Sequence, residues 1–308
     1  MKKVLVSGGA GFIGSHLCDA LIEKGNKVFC VDNLLSGSKK NIEHLTENKN
    51  FVFLQEDVNF FSFDKKVDEV FHLASLASPV DYFSKPVQTM LSGSVGTKNM
   101  LDLALKNKAK FLFTSTSEIY GDPLVHPQKE SYWGNVNCVG ARSCYDESKR
   151  FSEALIKAYE REFNFDGKIV RIFNTFGPRM RLNDGRVVPN FINQALNNKP
   201  LTVYGSGKQT RSFCFVSDMV EGILKTMKSD FNGPVNLGNP EEYSILEFAE
   251  KIMELKGKKL ELKFFPALKD DPKQRKPDIS LALEKLGWKP KFSLDKGLKI
   301  TMDYFKNL

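Results

Sequence analysis

The sequence predicts an α/β fold, a doubly wound parallel sheet followed by a smaller C-terminal lobe, and three observations carry that expectation. Short β-rich runs alternate with longer segments of helical period through the first half of the chain. Glycines at positions 8, 11 and 14 form a Gly-x-x-Gly-x-x-Gly turn between the first such run and the first such helix. The alternation loses its regularity near residue 175, dividing the chain into residues 1–174 and 175–308.

Residues 3–7 (Lys-Val-Leu-Val-Ser) make the first strand, and residues 12–24, apolar at helical spacing, the first helix. Glycine in the turn between them removes the Cβ atoms that would keep a pyrophosphate from backbone N–H groups and from the positive helix N-terminus. Strand, turn and helix together mark a Rossmann-type dinucleotide site, with Gly8, Gly11, Phe12, Ile13 and Gly14 at the phosphates. The next strand, 27–31, ends in Asp32-Asn33. A carboxylate there holds both ribose hydroxyls of an adenosine and repels a 2′-phosphate, so NAD is expected rather than NADP.

Further strands are expected at 51–55, 69–73 and 110–114, with a helix over 86–106. Asp57 and Val58, just beyond the third strand, are positioned to bracket the adenine. Ligands of open α/β sheets sit beyond the carboxyl ends of the strands. That rule brings Leu73, Ala74 and Ser78 into one crevice with Thr116, Ser117 and Glu118. A strand at 168–173 ends at Asn174, and helices at 278–286 and 293–305 close the lobe.

Tyr145 and Lys149 stand four residues apart at the head of an amphipathic segment that continues through 151–163. Helical geometry puts them on one face. A free phenol has a pKa of about 10, and a neighbouring ammonium lowers it by favouring phenolate. Tyr145 is therefore the candidate proton shuttle, Lys149 its partner, and Thr116 a hydroxyl beside both.

Composition narrows the alternatives. With 308 residues, 41% hydrophobic and 27% charged, the chain is an ordinary globular one with enough length for a full core. No apolar run approaches the roughly 20 residues of a membrane helix, and Met1-Lys2-Lys3 leads into a glycine turn instead of a signal segment. A cytoplasmic protein with no membrane partner is expected. The five cysteines, Cys18, Cys30, Cys138, Cys144 and Cys214, make no C-x-x-C pair, and the four histidines fall in no metal-ligand spacing, so no metal is expected. The net charge of +8 is spread along the chain, which argues for a solvated surface rather than nucleic-acid binding.

These residues together resemble the extended short-chain dehydrogenase/reductase family, the NAD-dependent epimerases and dehydratases acting on nucleotide sugars. The resemblance spans essentially the whole chain. Within the family, Ser115-Thr116-Ser117-Glu118-Ile119-Tyr120-Gly121-Asp122-Pro123, continued by Tyr145-Asp146-Glu147, is similar to the branch that decarboxylates UDP-glucuronate to UDP-xylose. Related 4,6-dehydratases carry an Asp, the acid for water loss, where this chain has Ser117. The resemblance implies a UDP-sugar substrate held by Ser78, Tyr82, Ser117, Asn174, Arg186, Val188, Tyr204 and Arg211. Arg275, in Arg275-Lys276-Pro277-Asp278, would reach the active site with Glu118. It also implies a homodimer built from helices at 86–106 and 144–163. The sequence departs from the family in having Gly93 where Asn is usual and in the proline-free segment 138–144. A 4-epimerase and a non-catalytic nucleotide-sugar-binding protein are the alternatives.

Overall fold

In the computed structural model, which describes residues 1–267 and 271–308, seven parallel strands form the central sheet. They are β1 (Lys3–Ser7), β2 (Lys27–Val31), β3 (Phe51–Leu54), β4 (Glu69–His72), β5 (Lys110–Thr116), β6 (Gly167–Ile172) and β7 (Pro234–Leu237), in spatial order β7-β6-β5-β4-β1-β2-β3. Successive strand residues face opposite sides, and both sides are covered. Val4 and Val6 belong to one apolar cluster and Leu5 to the other, which is why the strand reads as an unbroken apolar run. Strand order reverses between β1 and β4, opening a crevice at their carboxyl ends.

Helix α1 (Phe12–Glu23) starts directly after the glycine turn, and α2 (Pro79–Ser84) follows β4. The helix expected over 86–106 is present without a break but changes pitch inside, with α3 (Pro86–Leu91) and α4 (Thr97–Asn107) joined by a π-turn at Ser92–Gly96. The cause lies across the interface, in α5 (Ser143–Phe163), whose Ser148 crowds Gly93 so closely that a Cβ there would lie 2.6 Å from the serine Cβ. Thr97 Oγ1 donates to the Gly93 carbonyl at 2.9 Å, meeting an acceptor that the π-turn takes out of α-helical register.

Beyond residue 175 the strands are short. Thr210–Ser212 lies between Glu242–Ser244 and Gln274–Arg275, and Leu201–Tyr204 pairs with Leu262–Phe265, next to α6 (Val187–Leu196). The chain also returns to the first half: α7 (Val216–Lys228) packs on α1, and β7 extends the sheet alongside β6. Trp288, fully buried, donates its indole N–H to the Asp218 carbonyl at 3.0 Å and anchors the C-terminal segment to α7.

Candidate active site

The carboxyl ends of β1, β4 and β5 open on a cleft of about 380 Å³ that continues toward α6 and Arg275. A volume of this size suits a small ligand. Along one side run Gly8, Gly11, Phe12, Ile13, Gly14, Asp32, Asn33, Val58, Leu73 and Ala74. Ser78, Tyr82, Thr116, Ser117, Glu118, Tyr145 and Lys149 line the middle, and Asn174, Arg186, Val188, Tyr204, Arg211 and Arg275 the other side. Asp57 is the expected residue that does not line the cleft. Its carboxylate accepts from Asn33 Nδ2 at 3.0 Å and from the Asn59 N–H at 2.9 Å, so it holds the Asn33 side chain.

Two glycines of the turn are fixed by close approach. A Cβ on Gly14 would lie 2.1 Å from the Gly8 carbonyl oxygen, and one on Gly8, at φ +73°, 2.7 Å from the Ala74 nitrogen. Asp32 accepts from the Ala10 N–H at 3.0 Å and the Leu34 N–H at 2.8 Å. Burial still pushes its carboxyl above the ordinary range against those bonds.

Tyr145 and Lys149 occupy the first two turns of α5, both nearly fully buried. The helix brings them together as their spacing predicts, but not as an ammonium on a phenol oxygen. Lys149 Nζ donates to the Thr114 carbonyl at 2.8 Å and stands 4.6 Å from the Phe113 ring centre and 5.7 Å from that of Tyr145. Burial brings Lys149 down to about 7, with Glu153 acting the other way. The expectation of a phenol made acidic by Lys149 is therefore corrected. Burial pushes Tyr145 up, Glu118 and Asp146 add to the push, and the Thr116 hydroxyl and Arg186 pull it back. The Tyr82 ring stacks on it at 5.4 Å and 11°. The Tyr82 hydroxyl, buried at the cleft, has no hydrogen-bond partner among the described residues.

Glu118 sits in the turn after β5, gripped by two guanidiniums. Arg275 donates to both oxygens, the Nη2 contact measuring 3.2 Å, and Arg142 Nη2 donates to Oε2 at 2.6 Å. Burial alone would raise this carboxyl, but Arg275 and Arg142 outweigh it and hold it below the usual carboxylate range. Glu118 is thus an acceptor and not an acid. Arg211 donates to Asp271 at 2.8 Å, and Arg186 is paired with Asp184 beside α6. Ser78 caps α2, and the Asn174 side chain donates to the Ser212 carbonyl over a long 3.4 Å.

Arg142 and Asp271, which line the cleft, and Asp146 beside Tyr145 are among the residues that the sequence reading does not assign to the site. Arg142 had a signal: it is the N-cap of α5, where the helix dipole disfavours a cation unless an anion meets it. Asp146 is buried next to Tyr145, its Oδ1 without a hydrogen-bond partner among the described residues, and burial followed by Glu118 pushes its carboxyl upward.

The chain is 53% identical over 304 residues to UDP-glucuronic acid decarboxylase 2 of Arabidopsis thaliana, covering 99% of this chain and 68% of that one. It is 50% identical over 305 residues to UDP-glucuronic acid decarboxylase 1 of Xenopus tropicalis, covering 99% and 72%. Among solved structures, UDP-glucuronic acid 4-epimerase from Bacillus cereus in complex with UDP-glucuronic acid and NAD superposes with a TM-score of 0.91 at 31% identity, covering 99% of each chain. UDP-N-acetylglucosamine 4-epimerase from Methanobrevibacter ruminantium M1 gives 0.93 at 31% identity, covering 99% and 98%. The NAD dependent epimerase/dehydratase family model matches residues 4–243. The chain belongs to the NAD-dependent epimerase/dehydratase family.

Residues present in this member of the family fit NAD. The glycine turn leaves a cradle that a Cβ would fill, the N-terminus of α1 faces it, and the Asp32 carboxylate suits an unphosphorylated ribose.

Proposed function

We propose that this chain decarboxylates UDP-glucuronate to UDP-xylose and recycles NAD within each turnover. One observation carries the reading: an ionised Glu118 clamped by Arg275 and Arg142 beside Tyr145, in a chain about half identical along its length to UDP-glucuronic acid decarboxylases. Bound NAD would supply the hydride acceptor and later the donor at sugar C4, and its oxidised ring a positive charge.

Gly8, Gly11, Phe12, Ile13 and Gly14 would hold the pyrophosphate, Asp32 and Asn33 the adenosine ribose, Val58 the adenine, and Leu73 and Ala74 the rest of the dinucleotide. Arg186 and Arg211 serve the diphosphate of the substrate, for which a guanidinium fork is suited. Asn174, Val188 and Tyr204 serve the UDP portion, and Ser78, Tyr82 and Ser117 the sugar. Tyr145, with Thr116 beside it, takes the proton from the C4 hydroxyl oxygen during oxidation and returns it during reduction. Between those events Tyr145 is the neutral phenol, and Lys149, fixed on the Thr114 carbonyl beside the Tyr145 ring, is the amine of the proton-transfer pair. A ketone at C4 is β to the C5 carboxylate, so the C5–C6 bond breaks, its electron pair passes to the C4 oxygen as an enolate, and carbon dioxide leaves. C5 then takes a proton from a water that Glu118 orients as acceptor, with Arg275 holding Glu118, and the hydroxide left behind is neutralised by the one solvent proton that the overall reaction consumes. Ser117 offers no acid for water loss, which separates this chemistry from dehydration.

Residues 1–174 carry NAD and the proton transfers and residues 175–308 the uridine diphosphate, while α7 and β7 tie the second part to the first. The solved 4-epimerases favour a second reading, inversion at C4, though at 31% identity against about 50% for the decarboxylases. Incubation with UDP-glucuronate and NAD, followed by mass spectrometry and NMR of the product, separates them. Loss of one carbon dioxide with UDP-xylose formed supports decarboxylation, whereas conversion without carbon dioxide overturns it.

The assembly we infer is a homodimer through the outer faces of α3, the π-turn and α5. Val87 (71% exposed), Met90, Leu91, Val95 and Phe151 leave apolar surface there that a second copy would cover. A cytoplasmic setting suits the five free cysteines, and among the described residues no helix is long and apolar enough to cross a membrane.

A further inference from the structure

A buried hydrogen-bond chain links the end of β1 to the helix that carries Lys149. His72, the last residue of β4, is fully buried, with Nδ1 2.6 Å from Ser7 Oγ and Nε2 3.1 Å from Thr97 Oγ1. Thr97 Oγ1 donates to the Gly93 carbonyl at 2.9 Å and lies 3.1 Å from Ser152 Oγ. Ser152 Oγ in turn is 2.5 Å from that same carbonyl and 2.8 Å from the carbonyl of Ser148. Ser7, Thr97 and Ser152 are as deeply buried as His72.

Proton counting assigns the directions. Thr97 has one hydroxyl proton, given to Gly93, so its lone pairs accept from Nε2–H of His72. Nδ1 is then an acceptor and receives the Ser7 hydroxyl proton. In this tautomer both nitrogens of the neutral imidazole are satisfied, while the single Ser152 hydroxyl proton serves one of the three acceptors around it.

A second route runs from His72 to Lys149 through β5. The imidazole lies 5.7 Å from the Phe113 ring, and Lys149 Nζ stands 4.6 Å from that same ring. The His72 carbonyl accepts from Thr114 Oγ1 at 3.3 Å, and the Thr114 carbonyl is the acceptor for Lys149 Nζ at 2.8 Å. Ser148 and Ser152 flank Lys149 on its own helix, and Gly93 presses on Ser148. Thus Phe113 and Thr114 touch His72 directly, Ser152 touches it through Thr97, and Ser148 is joined to the chain through Ser152 and Gly93.

We propose that His72 is a positioning residue for Lys149: through Thr97 and Ser152 on one side and Phe113 and Thr114 on the other, it fixes the amine relative to the Ser7-Gly8 turn. The proposal rests on the reading of Tyr145 and Lys149 as the proton-transfer pair. Burial, and then the nearby Lys149, bring His72 down to about 3, so the hub stays neutral throughout the working range. The titratable groups around Lys149 are His72 from β4 and Tyr145 and Glu153 from α5, while β5 and the π-turn present the uncharged Phe113, Thr114 and Gly93. Loosening the chain admits water to the amine and lets its pKa climb toward that of a free lysine.

The test is Thr97→Val, which keeps the side-chain shape and removes the hydroxyl, with Ser152→Ala and His72→Gln alongside. In protein carrying ¹³C-labelled lysine, the Lys149 side-chain NMR signal, assigned with Lys149→Arg, is titrated, and kcat, KM and melting temperature are measured against pH. The wild-type midpoint is expected near 7 and should rise by about one pH unit or more in Thr97→Val. With it, kcat should fall about 10- to 100-fold as the amine is misplaced, and KM should change much less. A lower melting temperature with the Lys149 midpoint and the pH profile unmoved would overturn the proposal, leaving the chain a purely structural one. If His72→Gln does not fold, the two milder variants decide. Wild-type protein that releases no carbon dioxide would sink the reaction reading, yet the NMR titration would still decide the positioning.

Discussion

Glu118→Gln tests the electrostatics of the cleft most directly. The substitution keeps the shape and deletes one charge, leaving Arg275 and Arg142, 3% and 8% exposed, against a neutral amide. Among the described residues Arg142 then retains only Asp271, at 3.7 Å, and Arg275 retains no ion pair. Breaking a buried pair from one side costs about 3–5 kcal/mol, because the charge left behind has lost both its partner and its water. The Glu118 side chain keeps 15% exposure, so the lower end, about 3 kcal/mol, is the expected loss. At about 2–4 °C per kcal/mol, that is a fall of about 6–12 °C in melting temperature, with the lower figure favoured by a long chain. Calorimetry on the wild type, on Glu118→Gln and on Glu118→Gln with Arg142→Met reads it out. The second substitution should restore part of the loss by removing one orphaned charge. A depressed carboxyl pKa contributes stability above its unfolded value and loses it as pH falls through the folded one. The gap between wild type and variant should therefore be flat from about pH 8 to about pH 5 and close only in stronger acid. A gap below about 2 °C at neutral pH, or one that widens in acid, would refute the clamp.

Tyr145→Phe should fold normally and lose about 10²- to 10⁴-fold in carbon dioxide release, since only the proton-transferring oxygen is gone. Gly14→Ala places a Cβ 2.1 Å from the Gly8 carbonyl oxygen and should weaken NAD binding, by calorimetric titration, by about tenfold or more. Asp32→Asn removes the charge opposing a 2′-phosphate, so the ratio of NAD to NADP affinity should fall. Lys149→Met should abolish turnover yet raise the melting temperature at pH 6. The folded protein holds this amine at about 7, below its unfolded value of about 10.4, so burying the charged form costs stability in full below about pH 7 and that cost fades as pH rises from there toward the unfolded value. The stabilisation should accordingly shrink toward alkaline pH.

What could be read from the sequence is what neighbours along the chain decide. Gly14 is forced by the approach of the Gly8 carbonyl within one turn, and the strands read as apolar runs because both sheet faces are covered. The four-residue spacing of Tyr145 and Lys149 fixes their shared face. Distant partners decide the rest. Ser148 pressing on Gly93 makes the π-turn inside 86–106, and β7 joins the sheet only because α7 packs back on α1. The same limit explains the phenol. Helical spacing puts Lys149 near Tyr145, but the Thr114 carbonyl, on a strand far earlier in the chain, determines where its proton points. Glu118 shows the opposite outcome: burial should neutralise it, yet arginines from a loop and from the last strand hold it ionised. Proximity can be read locally, whereas the sign of a pKa shift is set by which long-range group satisfies each buried charge. For that reason the residues of this cleft could be named from sequence, while their protonation states required the fold.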